Sequence, residues 1–396
     1  MIEPPTDLTV PRGSSDTVRR ILSAALRRLL GDLGSLPLAR ASRPVARATH
    51  AVLRATRAEL SREPGRVFGA LRRPNVGTAV RVLRDLDDPA RIDAVAAQLA
   101  CTLAVELAVA GAELPPLSFP RGPARVVCLG GRFVLPGGSA RLQAGRWTAA
   151  GTAIDLAAAA RGDAAVERPF SPIEGDLVLA LADDNPLAML EAHPDKSGNA
   201  VALGDRAPEA WCDALRGALA VIETHLPLVR EEAALVLHQV VPVGFDAHQH
   251  LSASYREAIG TIYLTLHPRQ MTMAEAVIHE LSHNELNALF ELDPVLHNAF
   301  SPLFTSPVRP DPRPLHGVLL AVHAFLPVAE LYRRMIEAQA PGSDHPDFRR
   351  RYATVVRQNR EGVAVLREHA EPTEVGRGLL DEIARLDASF DDVARD

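Results

Sequence analysis

The residues best suited to chemistry are His279, Glu280 and His283, in the stretch His279-Glu280-Leu281-Ser282-His283. Two histidines four apart on a helix stand one turn apart on one face, with Cβ atoms about 5–6 Å apart. Their ring nitrogens can converge on one metal ion, and Glu280 stands beside it. As a general base Glu280 would activate metal-bound water; as a neighbour of the ligands it would orient them. Imidazole suits zinc, iron, copper and nickel alike, so the pair leaves the metal open.

A third ligand must come from outside this motif. His283 is followed by Asn284-Glu285-Leu286-Asn287 rather than by a Gly-x-x-His continuation, which excludes the metzincin proteases. Downstream, His316, His323 and Glu330 recur every seven residues in a run opened by Pro314, so they share one side of a helix. Each step of seven advances about 10.5 Å along the axis, and only one of the three can reach a given metal. His323 is favoured, in the middle of the run and four residues before Pro327, where a kink would shape a cavity. His316 is the second choice and Glu330 the gluzincin-like third. His238, His248, His250, His267 and His297 lack ligand spacing to the pair and read as surface or loop histidines.

Thr272 and Glu275 form a capping-box pattern that predicts a helix from near Met273 past Phe290, which carries the histidine pair. The β-branched and aromatic run Ile259–Leu266 predicts a strand beside it. Upstream, helical spacing marks Val18 to Leu33, Ala46 to Leu60, Val67 to Leu86 and Asp93 to Ala110, after a loose, Pro-rich stretch over residues 1–13. Short β-type runs start near Arg125, with the pairs Gly130-Gly131 and Gly137-Gly138 as turns. Pro208 to Leu226 reads as helix and Ala234 to Val243 as strand. The fold class expected is α+β, mostly helical, with a small mixed or antiparallel sheet beside the metal-binding helix. Residues 1–122 would form a helical region and residues 123–396 the catalytic part, with no linker signature between them.

The chain has 396 residues, 47% hydrophobic and 23% charged, the balance of a globular protein with a large core. Forty-three basic against 49 acidic residues give a net charge of −6, so no global field attracts nucleic acid or acidic lipid. Residues 12–84 hold 16 arginines, but no aromatic interleaving or reading motif accompanies them, and no nucleic-acid partner is expected. Cys101, Cys128 and Cys212 are widely spaced and unpaired in pattern, which suits a reducing cytoplasm. Neither a signal peptide nor a membrane span is expected.

At this point the sequence resembles the HExxH-type 2-oxoglutarate-dependent peptide β-hydroxylases associated with ribosomally made, post-translationally modified peptides (RiPP biosynthesis). The resemblance covers the C-terminal half. It rests on Asn185-Pro-Leu, Ala192-His-Pro-Asp-Lys-Ser-Gly-Asn199, Ser254-Tyr-Arg-Glu-Ala-Ile-Gly-Thr-Ile-Tyr263, His279 to Asn287, and Arg309-Pro-Asp-Pro-Arg-Pro314 with its following helix. The last two, in that order and spacing, carry most of the specificity. The resemblance implies Fe(II) held by His279, His283 and a downstream histidine, with 2-oxoglutarate and O2 as cosubstrates. The family's helix can carry that histidine nearer the position of Leu320, which keeps His323 and its alternatives open. It further implies a dioxygenase that hydroxylates a C-β position in a precursor peptide, alongside other peptide-maturation enzymes. Arg313 would grip the distal carboxylate of 2-oxoglutarate, with Arg309 as the alternative and an ion pair with Asp311 as the competing role. Tyr255, Tyr263 and Asn287 are candidate pocket residues.

Two other classes stand beside this one. A zinc-dependent HExxH metallopeptidase would use Glu280 as general base and lose all turnover with Glu280→Gln, whereas a hydroxylase would keep part of it. A non-catalytic peptide-binding partner would retain no metal.

Overall fold

The computed structural model describes residues 2–190, 192–193, 196–305 and 311–390. Apolar residues at three- and four-residue spacing place Val18, Ile21, Ala25 and Leu29 on one buried face of α1 (Asp16–Asp32). A short 3-10 turn, Leu38–Arg40, leads to α2 (Arg43–Arg62), α3 (Pro64–Arg72), α4 (Pro74–Asp85) and α5 (Pro89–Val109). The expected single helix over Val67 to Leu86 is two, because proline disfavours helical backbone in the residue before it. Arg73 is accordingly extended (φ −67°, ψ 127°) and Pro74 opens α4. Asp88 caps α5 by accepting from the Ala90 N–H. Contrary to the loose tail expected, Leu8, Thr9 and Val10 are buried, and their N–H groups bond to Glu382.

The strands β1 (Leu117–Phe119), β4 (Ala140–Gln143), β5 (Arg146–Ala149) and β6 (Thr152–Asp155) make an antiparallel sheet in the order β1-β4-β5-β6. Between them in sequence, β2 (Arg125–Cys128) and β3 (Phe133–Pro136) pair as a hairpin. Both glycine pairs are turns, as expected: Gly130-Gly131 joins β2 to β3 and Gly137-Gly138 joins β3 to β4. The short α6 (Leu156–Arg161) starts under an Asp155 cap and stops at Gly162, whose φ of 94° suits glycine. One apolar core unites α2 to α6 with these strands, around Leu71, Leu99 and Trp147.

A second core spans the C-terminal part and is built on a five-stranded mixed sheet in the order β12-β13-β11-β8-β7. Its members are β7 (Phe170–Glu174), β8 (Leu177–Ala180), β11 (Gln239–Phe245), β12 (Ser252–Ala253) and β13 (Thr261–Leu266); β9 (Ala192–His193) and β10 (Lys196–Ser197) form a separate pair. β11 runs parallel to both β8 and β13, with Gln239 opposite Val178 and Thr261, while the outer pairings are antiparallel. All six residues of β13 are buried, as suits a strand covered on both faces. The helices α7 (Pro208–His225) and α8 (Pro227–Val236) precede β11; residues 234–236, expected in a strand, instead complete α8.

The last layer is α9 (Gln270–Phe290), the paired β14 (Leu303–Phe304) and β15 (Arg313–Pro314), then α10 (Leu315–Glu337), α11 (Pro346–His369) and α12 (Glu374–Ala388). The capping box expected at Thr272 is not used. Arg269 is the N-cap, Thr272 lies in the first turn, and the Glu275 carboxylate binds Arg351 and the Tyr332 hydroxyl. α10 continues as helix through Pro327. Both α5 and α10 are long and apolar enough to cross a membrane, and both are mostly buried in the protein, as core helices are. The architecture is the α+β class expected, helix-rich with small sheets.

Candidate metal centre

α9 lies against β13 and antiparallel to α10, so that Glu275 meets Tyr332, His279 meets Phe325 and Phe290 meets His316. Its open side carries His279 and His283, both half-buried, with ring centroids 4.4 Å apart and planes at 76°. Ligand atoms of His279, Glu280 and His283 lie within 4.8 Å of one another, and among the described residues no other such trio occurs. The Nδ1 atoms of both histidines are inaccessible and make no hydrogen bond. Burial holds His283 down to about 4 and His279 well below the ordinary range, the latter with help from His283, His250 and Arg351. Both rings are therefore neutral at pH 7, the form that ligates a metal. Unsatisfied, neutral, converging imidazoles beside a carboxylate are a donor set that fits a divalent transition metal.

Glu280 is held by Ser254 and Asn284. Its carboxylate accepts from the Ser254 hydroxyl at 2.5 Å, and its backbone carbonyl accepts from Asn284 Nδ2 at 2.8 Å. Asn284 Nδ2 also reaches Ser254 Oγ at 3.2 Å, and its Oδ1 accepts from the Gly260 N–H at 2.7 Å. The segment after β12 and the residue before β13 thus fix the carboxylate beside the imidazoles. Tyr255 donates to the Ala188 carbonyl and accepts from Asn199 Nδ2 at 2.6 Å, and its ring meets Tyr263 edge-on at 5.2 Å. Tyr263 is fully buried in β13, with its hydroxyl between Asp183 and Asn185, and is a core residue. Asn287 is 5% exposed, one turn beyond His283.

Of the candidates for a third ligand, His323 is fully buried and lies against the Ser282 backbone and the His283 ring. It stands outside the 4.8 Å trio. His316 sits between the rings of Phe290 and Phe300, at 4.6 and 5.0 Å. Glu330 is ion-paired with Arg333 and Arg334, at 2.5 and 2.8 Å. Sequence spacing missed His250, which helps keep His279 neutral and whose Nε2 is buried without a partner. No local pattern marks it: the pairing of β12 with β13 brings it near the helix.

Arg309 lies outside the described residues. Arg313 is ion-paired with Asp311 at 2.8 Å, the competing role weighed for it. A cation on the His279 side is Arg351 of α11, held by Glu275 and 6.0 Å from the Phe325 ring, which itself lies 4.7 Å from His279. No protein-family model matches the chain, and no curated protein is similar to it.

Proposed function

We propose that the protein is an Fe(II)- and 2-oxoglutarate-dependent oxygenase that hydroxylates a C-β position in a ribosomally made peptide. The observation that carries the reading is the pair of neutral, unpartnered imidazoles with Glu280 already engaged by Ser254. His279 and His283 would hold the iron, with His323 completing the set after a side-chain rotation and His250 as the competing third ligand. Iron with 2-oxoglutarate and O2 supplies the oxidising power to functionalise an unactivated C–H bond. Glu280, gripped by Ser254 and beside both rings, would hold the ligands in place and bound water out of line. The cosubstrate dicarboxylate needs a cation, and Arg351 is better placed for it than Arg313. A rise in the KM for 2-oxoglutarate with Arg351→Leu, larger than with Arg313→Leu, checks this contact.

The exposed apolar side chains Met189, Leu190 and Phe300 would suit a peptide chain; the first two follow Ala188, whose carbonyl Tyr255 binds, and Phe300 lies against His316. A second reading, a zinc metallopeptidase, is favoured by one observation: a Glu280 carboxylate oxygen lies within 4.8 Å of both imidazole ligand atoms, where a general base would stand. Metal analysis of anaerobically purified protein, coupled to succinate formation from 2-oxoglutarate with added Fe(II), separates the two. Iron-dependent succinate, lost in His279→Ala, is expected. Tightly bound zinc in folded protein without 2-oxoglutarate turnover overturns the reading.

A further inference from the structure

α2 packs on α3, α5 and β1 and turns its other face to solvent. On that face Arg43, Arg47, His50, Arg54 and Arg57 follow one another at spacings of four, three, four and three residues, and all five are exposed. The spacing draws one straight stripe, about 21 Å long at 1.5 Å per residue. None of the four arginines has an acidic partner within ion-pair distance among the described residues, although neighbours such as Arg19, Arg20 and Arg40 do. Glu59, the acid of α2, is turned inward and pairs with Arg66. On a chain of net charge −6 this stripe is a local cationic surface.

Beside the stripe, between the end of α1 and α2, runs a groove of about 360 Å³. Leu30, Leu33, Leu36, Leu53 and Leu60 line it together with His50, Arg54 and Arg57, and no acid, Phe, Tyr or Trp is among the lining residues. We propose that this groove and stripe dock an acidic, amphipathic helical peptide segment. A row of apolar side chains would enter the leucine groove while carboxylates on the flanking positions meet the arginines. Nucleic acid is the poorer fit, because the wall offers leucines where bases would need stacking partners. The surface belongs to the N-terminal core and does not depend on what the metal centre does.

The test uses the full chain and a fluorescein-labelled, end-capped peptide of about 18 residues, long enough to span the stripe, with leucine at every third or fourth position and glutamate elsewhere. Fluorescence polarisation should show saturable binding that weakens at least about tenfold between low and high salt. Arg47→Glu/Arg54→Glu should weaken it at least about tenfold; both side chains are exposed and unpaired, so the fold survives, as circular dichroism would verify. Replacing the peptide's leucines by glutamine, which leaves the protein untouched, should weaken binding at least about fivefold. No saturable binding, indifference to the peptide's leucines, or tighter binding of a duplex DNA than of the peptide would overturn the proposal.

Discussion

The two faces of α9 hold the same kind of anomaly in opposite settings. On the open face the imidazoles of His279 and His283 keep unpartnered Nδ1 atoms; on the core face Glu285 keeps an unpartnered carboxylate oxygen, as does Glu232 of α8. Glu382 of α12 lies close enough to raise both, and it accepts N–H bonds from Leu8, Thr9 and Val10 at 2.9, 2.7 and 3.3 Å. Burial favours the neutral form of His279, His283, Glu232 and Glu285. It pushes the histidines down, and it pushes the carboxyls up, Glu232 to about 9. What separates the faces is access: a half-buried ring edge can meet a ligand, whereas a sealed carboxyl can only keep its proton. An unsatisfied polar group therefore points to a site where the fold leaves a way in, and to a protonation-dependent lock where it does not.

Substitutions on the open face should leave the fold intact and empty the site. His279→Ala or His283→Ala should lower bound metal, read by mass spectrometry of the native protein, at least about 100-fold in affinity, with unchanged circular dichroism. Unfolding of either variant would instead assign the rings to the core. On the other face the order reverses. Glu382→Ala removes the acceptor of three buried N–H groups and should cost about 2–4 kcal/mol in denaturant unfolding. Limited proteolysis should then cut the segment around residues 8–10, which is protected in the parent.

Glu280 tests the boundary between the faces, since it is buried yet borders the open side. With Glu280→Gln the amide can still accept from Ser254, so succinate formation should stay within about tenfold of the parent. A loss of about 1,000-fold or more, with peptide cleavage by the zinc-loaded parent, would make it a general base. Stability against pH reads the sealed carboxyls directly. A carboxyl whose folded pKa is raised holds a proton that the unfolded chain has released, so stability is greatest at acidic pH and falls as pH rises from the ordinary carboxylate range towards about 9. The melting temperature should decline from pH 6 to 9, and Glu232→Gln should flatten that decline. A parent whose melting temperature does not move would show the carboxyls already ionised.

The histidine pair, the helix that bears it and most of the helical layer were legible in the chain, because a 3.6-residue period is a property of one segment and survives any tertiary setting. The errors fall where a neighbour decides. Thr272 and Glu275 have the capping pattern, but Arg351, 76 residues on, takes the carboxylate. Residues 8–10 look like loose tail and are held by Glu382, some 370 residues away. The neighbours of the site share this origin: Ser254 on Glu280, His250 and Arg351 near His279 all arrive through strand pairing and helix packing between distant segments. Alone, the sequence determined the helical face on which two imidazoles meet. Tertiary structure decided which polar groups stay unsatisfied, because desolvation and partner geometry depend on what packs from elsewhere, and that information has no local period.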